Sequence, residues 1–232
     1  GMQQVIKDLF YVVPLSRNCE KIYKNKTHIL LGISPFNSKF SQNYIHQLID
    51  WSSKNFKNVT VLLAGDEAKN LLEALGTPTT KAERKVRKEI RRHFRFSEEA
   101  LRKNGREIDI YTFSDFKNNK IYNEVYQNVI YYFEKDEKFR KSCLAMSHDA
   151  LSSRAKSLNM EDIEITDNML FHAVKYVLAE LPFFLSGASI LGYKESVLAY
   201  HRPWKLGEKI KNSEFYIKMS DNQGYIILKQ IN

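Results

Sequence analysis

The stretch THILLGISPFNSKFS, residues 27–41, decides the fold. Its first half, His28-Ile29-Leu30-Leu31-Gly32-Ile33, is a nearly unbroken apolar run. A strand needs polar alternation unless both its faces are covered, so the run predicts a buried parallel strand. Ser34-Pro35 ends it, because proline drives the residue before it out of the helical region and offers no backbone donor. The Ser34 hydroxyl is thereby expected at the carboxyl edge of the strand, where open α/β sheets bind ligands. A serine at such an edge can equally serve as a partner for backbone groups, and this stretch alone leaves both roles open. Asn37 suits a turn and Ser38 a helix cap. Phe40, Tyr44, Ile45, Leu48, Ile49 and Trp51 then recur at helical spacing, predicting a helix over residues 38–56. The unit is strand, serine-bearing turn, helix, without the GxSxG pattern of a hydrolase nucleophile elbow.

Outward from this unit the pattern continues. Residues 58–65 (NVTVLLAG) read as a second buried strand, Asp66 as the cap of a helix reaching Leu75, and Gly76-Thr77-Pro78 as its stop. Strand-helix-strand-helix is the opening of a parallel sheet with right-handed crossovers. Residues 107–113 alternate into a third strand. Residues 119–156 read as helical with a break after the charged stretch 134–141, residues 162–191 as a further helical region, and residues 194–201 (KESVLAYH) as another strand. Residues 215–219 and 224–229 suggest a terminal hairpin, and residues 8–25 an irregular or edge segment covering the sheet. No repeat, low-complexity tract or linker interrupts the chain. The expected architecture is one α/β domain over residues 1–232, with a central, mostly parallel sheet flanked by helices.

Composition agrees. At 232 residues and 43% hydrophobic content the chain can bury one substantial core. The best candidate for a membrane span, residues 178–193, is interrupted by Glu180, Pro182 and Gly187, so a soluble protein without a membrane partner is expected. Gly1 ahead of Met2 reads as a remnant of tag removal, and residues 2–10 lack the basic-then-apolar order of a secretory signal. Cys19 and Cys143 offer neither metal-ligand spacing nor a disulfide framework, which fits a cytoplasmic protein with no metal.

The net charge of +9 is unevenly spread. Residues 81–106 hold eleven Lys or Arg against four Glu. A long helix opening at Thr79 or Thr80 sets Lys81, Lys85, Lys88, Arg92 and Arg95 on one face with Arg84, Arg87 and Arg91 beside them. Ala82, Val86, Ile90 and Phe94 are expected opposite. Solvated faces ordinarily mix signs, whereas only Glu83 and Glu89 interrupt this one before Glu98, which favours a polyanion partner. Such a stripe suits the phosphates of a folded nucleic acid, setting affinity and position rather than sequence choice.

A second constellation lies near the carboxyl half. Tyr176 and Glu180 are four residues apart on an apolar helix and share a side of it. A carboxylate there must find a partner or titrate upward; Lys175 or Arg202 could supply a local cation. Tyr200 sits near the carboxyl end of its strand, as Ser34 does, where a core tyrosine is also an ordinary finding.

Together these pieces resemble the cyclodipeptide synthases. The matching segments are Gly32-Ile33-Ser34-Pro35-Phe36-Asn37, the basic helix, Tyr176-Val177-Leu178-Ala179-Glu180-Leu181-Pro182 and Ser196-Val197-Leu198-Ala199-Tyr200-His201-Arg202-Pro203, in the expected order over most of the chain. The resemblance implies a Rossmann-like domain similar to the catalytic domain of tyrosyl- and tryptophanyl-type aminoacyl-tRNA synthetases. It also implies the use of two aminoacyl-tRNAs, without ATP or another cofactor, to make a cyclic dipeptide. The HIGH and KMSKS signatures of ATP activation are absent from the sequence.

Carried over by position, Ser34 is the expected nucleophile, Asn37 a member of its turn, and Gly32 a lining residue of the first aminoacyl pocket. Tyr176 and Glu180 are expected to hold the ammonium, Tyr200 to assist proton transfer, and Tyr126 to contact substrate. Lys81, Lys85, Lys88, Arg91, Arg92 and Arg95 are the expected tRNA contacts. His201 stands where one branch of the family has Gln and another Pro, so the branch stays open, although Asn37 favours the first. Leu30, Leu31, Leu62, Leu63, Phe183 and Leu198 lie near strand ends or beside the Tyr176–Glu180 turn and carry no charge, so hydrophobic products such as cyclo(Leu-Leu) are expected. The chemistry is acyl transfer from an ester that is already activated, for which a weakly activated serine suffices. Ser34 takes one aminoacyl group, a second aminoacyl-tRNA extends it to a dipeptidyl ester, enzyme-bound by the resemblance, and the free amine closes the ring. A monomer is expected. The competing readings are a non-catalytic RNA-binding α/β protein, in which Ser34 is structural, and more distantly a serine hydrolase acting on a small ester.

Overall fold

The computed structural model describes residues 9–231; the expectations for Gly1, Met2 and most of residues 2–10 lie outside the described residues. In chain order it comprises β1 (Phe10–Pro14), α1 (Arg17–Asn25), β2 (His28–Gly32), α2 (Gln42–Asn55), β3 (Asn58–Leu63), α3 (Lys69–Ala74), α4 (Thr79–Lys103), β4 (Ile110–Thr112), α5 (Lys120–Lys135), α6 (Glu137–Ser157), α7 (Asp167–Leu191), β5 (Ser196–Tyr200), α8 (Lys205–Lys211) and β6 (Gln223–Gln230). The six strands form one sheet in the order β1-β6-β5-β2-β3-β4. All neighbours run parallel except the edge pair β1 and β6. This is the expected Rossmann-like α/β arrangement of helices on a mostly parallel sheet.

The strand order positions the site. From β2 the chain winds outward through β3 to β4, then crosses to the other side of β2 to build β5 and β6. Strand order therefore reverses between β2 and β5, and the crevice at such a switch point lies beyond the carboxyl ends of the two strands. In register, Leu30 faces Leu198 and Leu31 faces Ala199 across this pair. Alternation then sorts the strand residues into two cores. Leu30, Leu62 and Leu198 pack with α7 on one face, whereas Leu31 and Leu63 pack on the other with α2.

Several local expectations are corrected. The helix after β2 starts at Gln42, capped by the Ser41 hydroxyl accepting Tyr44 N–H at 3.1 Å, and Ser38 is not the cap. Asn37 is the reason: its Oδ1 accepts Lys39 N–H at 3.0 Å and its carbonyl accepts Phe40 N–H at 3.1 Å, folding a turn that buries Phe40 before the helix begins. Residues 66–68 form a 3-10 turn ahead of α3, without an Asp66 side-chain cap. On α4 the buried face is Ala82, Val86, His93, Phe96, Ser97, Ala100 and Leu101, while Phe94 is exposed. A four-residue step drifts by about 40° per repeat on a helix of 3.6 residues per turn, so by Phe94 the expected apolar row has rotated outward. The third strand shrinks to residues 110–112.

The α5–α6 break falls inside the charged stretch, at Asp136, whose Oδ1 accepts Phe139 N–H at 3.2 Å. Helix α7 begins only after its Thr166 cap. The terminal hairpin does not form. β6 is committed to β5 on one side and β1 on the other, and residues 215–219 pack instead against the α7 side, with Ser220 N–H donating to the Leu185 carbonyl at 2.9 Å. Helix α8 was not foreseen. Contrary to the sequence reading, α7 is long and apolar enough to span a membrane by length and composition, but 72% of its apolar window is buried against the rest of the protein. It is the core helix on which the site is built.

Candidate active site

β2 carries its ladder one residue past its end, Ile33 N–H donating to the Leu62 carbonyl at 3.0 Å, so Ser34 is the first residue free of the sheet. Tyr200 is the last residue of β5. Because the two strands are neighbours, their ends bring Ser34 Oγ and the Tyr200 hydroxyl into a hydrogen bond. The Tyr200 hydroxyl is also bonded to the Asn37 side chain. Burial raises the Tyr200 pKa, with the bond to Ser34 working against that rise and Glu180 adding to it. Asn37 Nδ2 also lies 3.5 Å from His201 Nε2. Burial, together with Arg202 and Lys39, lowers the His201 pKa to about 3, so the ring is neutral at pH 7 and acts as an acceptor packed against Tyr200.

Tyr176 and Glu180 project from one side of α7 and are hydrogen-bonded to each other. Burial pushes the Glu180 carboxyl up to about 8, and the Tyr176 bond only partly offsets it. Tyr176 itself is raised well above its ordinary range, chiefly by burial and then by Glu180, so it remains a donor. Neither Lys175 nor Arg202 supplies a counter-charge: no ion pair among the described residues reaches Glu180. The Arg202 guanidinium donates instead to Ser153 Oγ at 3.3 Å.

Ser34, Asn37, Tyr176, Glu180 and Tyr200 all line one cavity of about 300 Å³. Gly32, Leu62, Leu71, Phe113 and Leu198 give it an apolar wall. A Cβ on Gly32 would meet no atom within 4 Å, so this glycine leaves open space beside the serine. Polar side chains reach the same cavity from α6 (Asp149, Arg154) and from beyond β5 (Arg202, Lys205).

Five expected pocket residues do not line it. Leu30 is fully buried in the core beneath, and Phe183 packs among Phe113, Phe116 and Tyr122. Tyr126 stacks on Tyr122 at 6.0 Å and stays outside. The tyrosine of α5 that reaches α7 is Tyr122, whose hydroxyl donates to the Ala179 carbonyl at 2.7 Å. Leu31 and Leu63 face the opposite core. Leu71, Asp149, Arg154 and Lys205 escaped the sequence reading because each comes from an element whose placement depends on packing. Phe113 had a signal, its position at the carboxyl end of an alternating stretch.

The cationic helix is formed as expected, with Lys81, Lys88, Arg91 and Arg95 exposed and Lys85 half-buried. Burial lowers the Lys85 pKa, and crowding by Lys81, Arg154 and Arg84 lowers it further, so the stripe runs toward the Arg154 side of the cavity. Arg92 is not free: it forms a bridge to Glu89 Oε1 at 2.8 Å.

The cyclodipeptide synthase family model matches residues 10–230. A cyclo(L-leucyl-L-leucyl) synthase of Bacillus subtilis (strain 168) is 52% identical over 223 residues, covering 96% of this chain and 90% of that protein. The solved structure of a cyclodipeptide synthase from Staphylococcus haemolyticus superposes with a TM-score of 0.92 at 48% identity, covering 96% of this chain and 100% of the other. A Mycobacterium tuberculosis protein, whose structure relates cyclodipeptide synthetases to type I tRNA synthetases, shares the fold at a TM-score of 0.83 and 24% identity, over 99% of this chain and 100% of that one. A match over nearly the whole length, on a fold that gathers the expected serine, tyrosines and glutamate around one apolar cavity, shows that the chain belongs to the cyclodipeptide synthase family.

Proposed function

We propose that this enzyme condenses two leucyl groups, each delivered as leucyl-tRNA, into cyclo(Leu-Leu) by a ping-pong route through an aminoacyl ester on Ser34. The observation that carries the reading is the Ser34–Tyr200 hydroxyl pair opening on the apolar cavity that also holds Tyr176 and Glu180. The Bacillus subtilis relative is a synthase of that product. The cavity wall of Leu62, Leu71, Phe113 and Leu198 offers an aliphatic side chain no polar partner.

The chemistry follows from the groups present. Ser34 Oγ attacks the ester carbonyl of the first leucyl-tRNA, the new Oγ–C bond replaces the C–O bond to the terminal ribose, and the serine proton passes through the Tyr200 hydroxyl toward the departing ribose oxygen. The ester is already activated, so no ATP is required. Glu180 accepts the α-ammonium as its missing counter-charge, with Tyr176 fixing the carboxylate. Burial makes Glu180 a stronger base than an ordinary carboxylate, so it takes a proton from this amine before the amine attacks. Once deprotonated, that amine attacks the ester of the second leucyl-tRNA, giving a dipeptidyl ester on Ser34 and a second free tRNA. The new terminal amine then attacks the Ser34 ester, the ring closes, and the serine recovers its proton.

The tRNA body is held by the cations of α4, namely the exposed Lys81, Lys88, Arg91 and Arg95 and the half-buried Lys85. The mutual crowding around Lys85 supports this assignment, because bound phosphates relieve it. The enzyme acts as a monomer in the cytoplasm.

Mass spectrometry of medium from a host expressing the enzyme tests the product. Cyclo(Leu-Leu) should dominate, accompanied by lesser Leu-Phe or Leu-Met products. One methylene in an apolar pocket discriminates by only about 1–3 kcal/mol. Polar or charged cyclic dipeptides alone would refute the assignment of the cavity.

A further inference from the structure

Glu89 stands in the middle of the cationic helix yet is turned inward, with 11% of its side chain exposed against 42% for Arg92. Its Oε2 accepts the backbone N–H of Phe36 at 2.6 Å. Its Oε1 accepts Arg92 Nε at 3.0 Å and Nη2 at 2.8 Å. Phe36 lies two residues beyond Ser34 at φ +57°, in the left-handed region that a bulky side chain occupies only when its surroundings impose it. No helix or strand holds this segment: from the end of β2 to Gln42 the chain is in turns and irregular backbone. Pro35 contributes no donor. Phe36 is gripped from outside the segment, by Glu89 at its N–H and by the Arg154 guanidinium 4.2 Å from its ring centroid. Burial works against the charge on Glu89, but His93, Arg92 and the Phe36 amide outweigh it and keep the carboxyl below its usual range.

We infer that Glu89 is a positioning residue for acyl transfer: its carboxylate clamps the Phe36 N–H, holds the turn that sets Ser34 beside Tyr200, and ties that turn to the helix bearing the cationic stripe. The inference rests on Ser34 being the nucleophile. Glu89 does not line the cavity, so it acts on the geometry of the serine and not on the substrate. Acyl transfer is sensitive to such geometry, since a misplacement of about 1 Å can cost about a hundredfold in rate.

The test is single-turnover labelling of the enzyme by radiolabelled Leu-tRNA, at saturating and limiting concentrations, with thermal unfolding recorded for every variant. E89A should lower the saturating rate constant between about tenfold and a hundredfold, with the Leu-tRNA dissociation constant within about threefold of wild type. E89Q, whose amide oxygen still accepts from Phe36, should label within about threefold of wild type. E89D keeps the charge but falls one methylene short, and should be as slow as E89A. If E89A does not fold, the E89Q and E89D pair decides: E89D at the wild-type rate with a slow E89Q would overturn the clamp. So would a wild-type rate in E89A, or a loss confined to the dissociation constant. Labelling that persists in S34A would instead overturn the assignment of the nucleophile, whatever Glu89 does.

Discussion

A carboxyl buried without a cation is destabilising when charged, and Glu180 faces the cavity in that condition, with the Tyr176 hydroxyl as its partner. A leucyl ammonium would supply the missing charge, so its binding favours the ionised carboxylate and release of the Glu180 proton. Stability should record it. With a folded pKa of about 8 against an ordinary value of 4.5, the protonated form is favoured in the folded state. The resulting stabilisation is complete below about pH 4.5 and is lost as pH rises through about 8. E180Q cannot ionise, so the melting temperature of E180Q minus that of wild type should increase from pH 5 to pH 9. A difference that stays flat would mean that Glu180 is solvated or paired. In catalysis E180Q should weaken substrate positioning even at the pH where it melts higher.

At the scale of the element, α4 joins two tasks that a periodicity argument sees only in part. Its outer face carries Lys81, Lys88, Arg91 and Arg95 free to meet phosphate, while Glu89 draws Arg92 out of the stripe and reaches the serine turn. Replacing Lys81, Lys88, Arg91 and Arg95 together by Ala should weaken Leu-tRNA binding and flatten its salt dependence by roughly 0.7–0.9 in log–log slope for each phosphate left without its cation. Filter binding across a salt series measures it. An unchanged slope would assign the stripe to solubility. Helix α7 has the opposite character: from Ala173 to Ile190 most of its side chains are buried, and that packing fixes Tyr176 and Glu180.

For the molecule as a whole, one sheet with a core on each face leads us to propose a single domain. Urea should then unfold it in one transition, the same by far-UV and near-UV circular dichroism, whereas two separated transitions would divide the chain. The sheet also explains what was legible in the sequence. The apolar run before Ser34 and the strand before Tyr200 each declared its own carboxyl end, and parallel neighbours necessarily bring those ends together. What depended on packing was hidden. Spacing puts both Tyr122 and Tyr126 on α5, but only the packed structure sends Tyr122 to α7. Leu30 satisfied every local criterion for a pocket residue and shares the face of Leu62 and Leu198, but it lies beneath the cavity, covered by α7 at Gly187. The polar contributions of α6 rest on a helix–helix packing that no motif announces. The central claim is that Ser34 carries the first amino acid, and incubation of purified enzyme with radiolabelled Leu-tRNA followed by acid precipitation tests it most directly. Wild type should retain acid-stable label on the protein and S34A none; equal label on S34A, or none on wild type while cyclo(Leu-Leu) still forms, would contradict it.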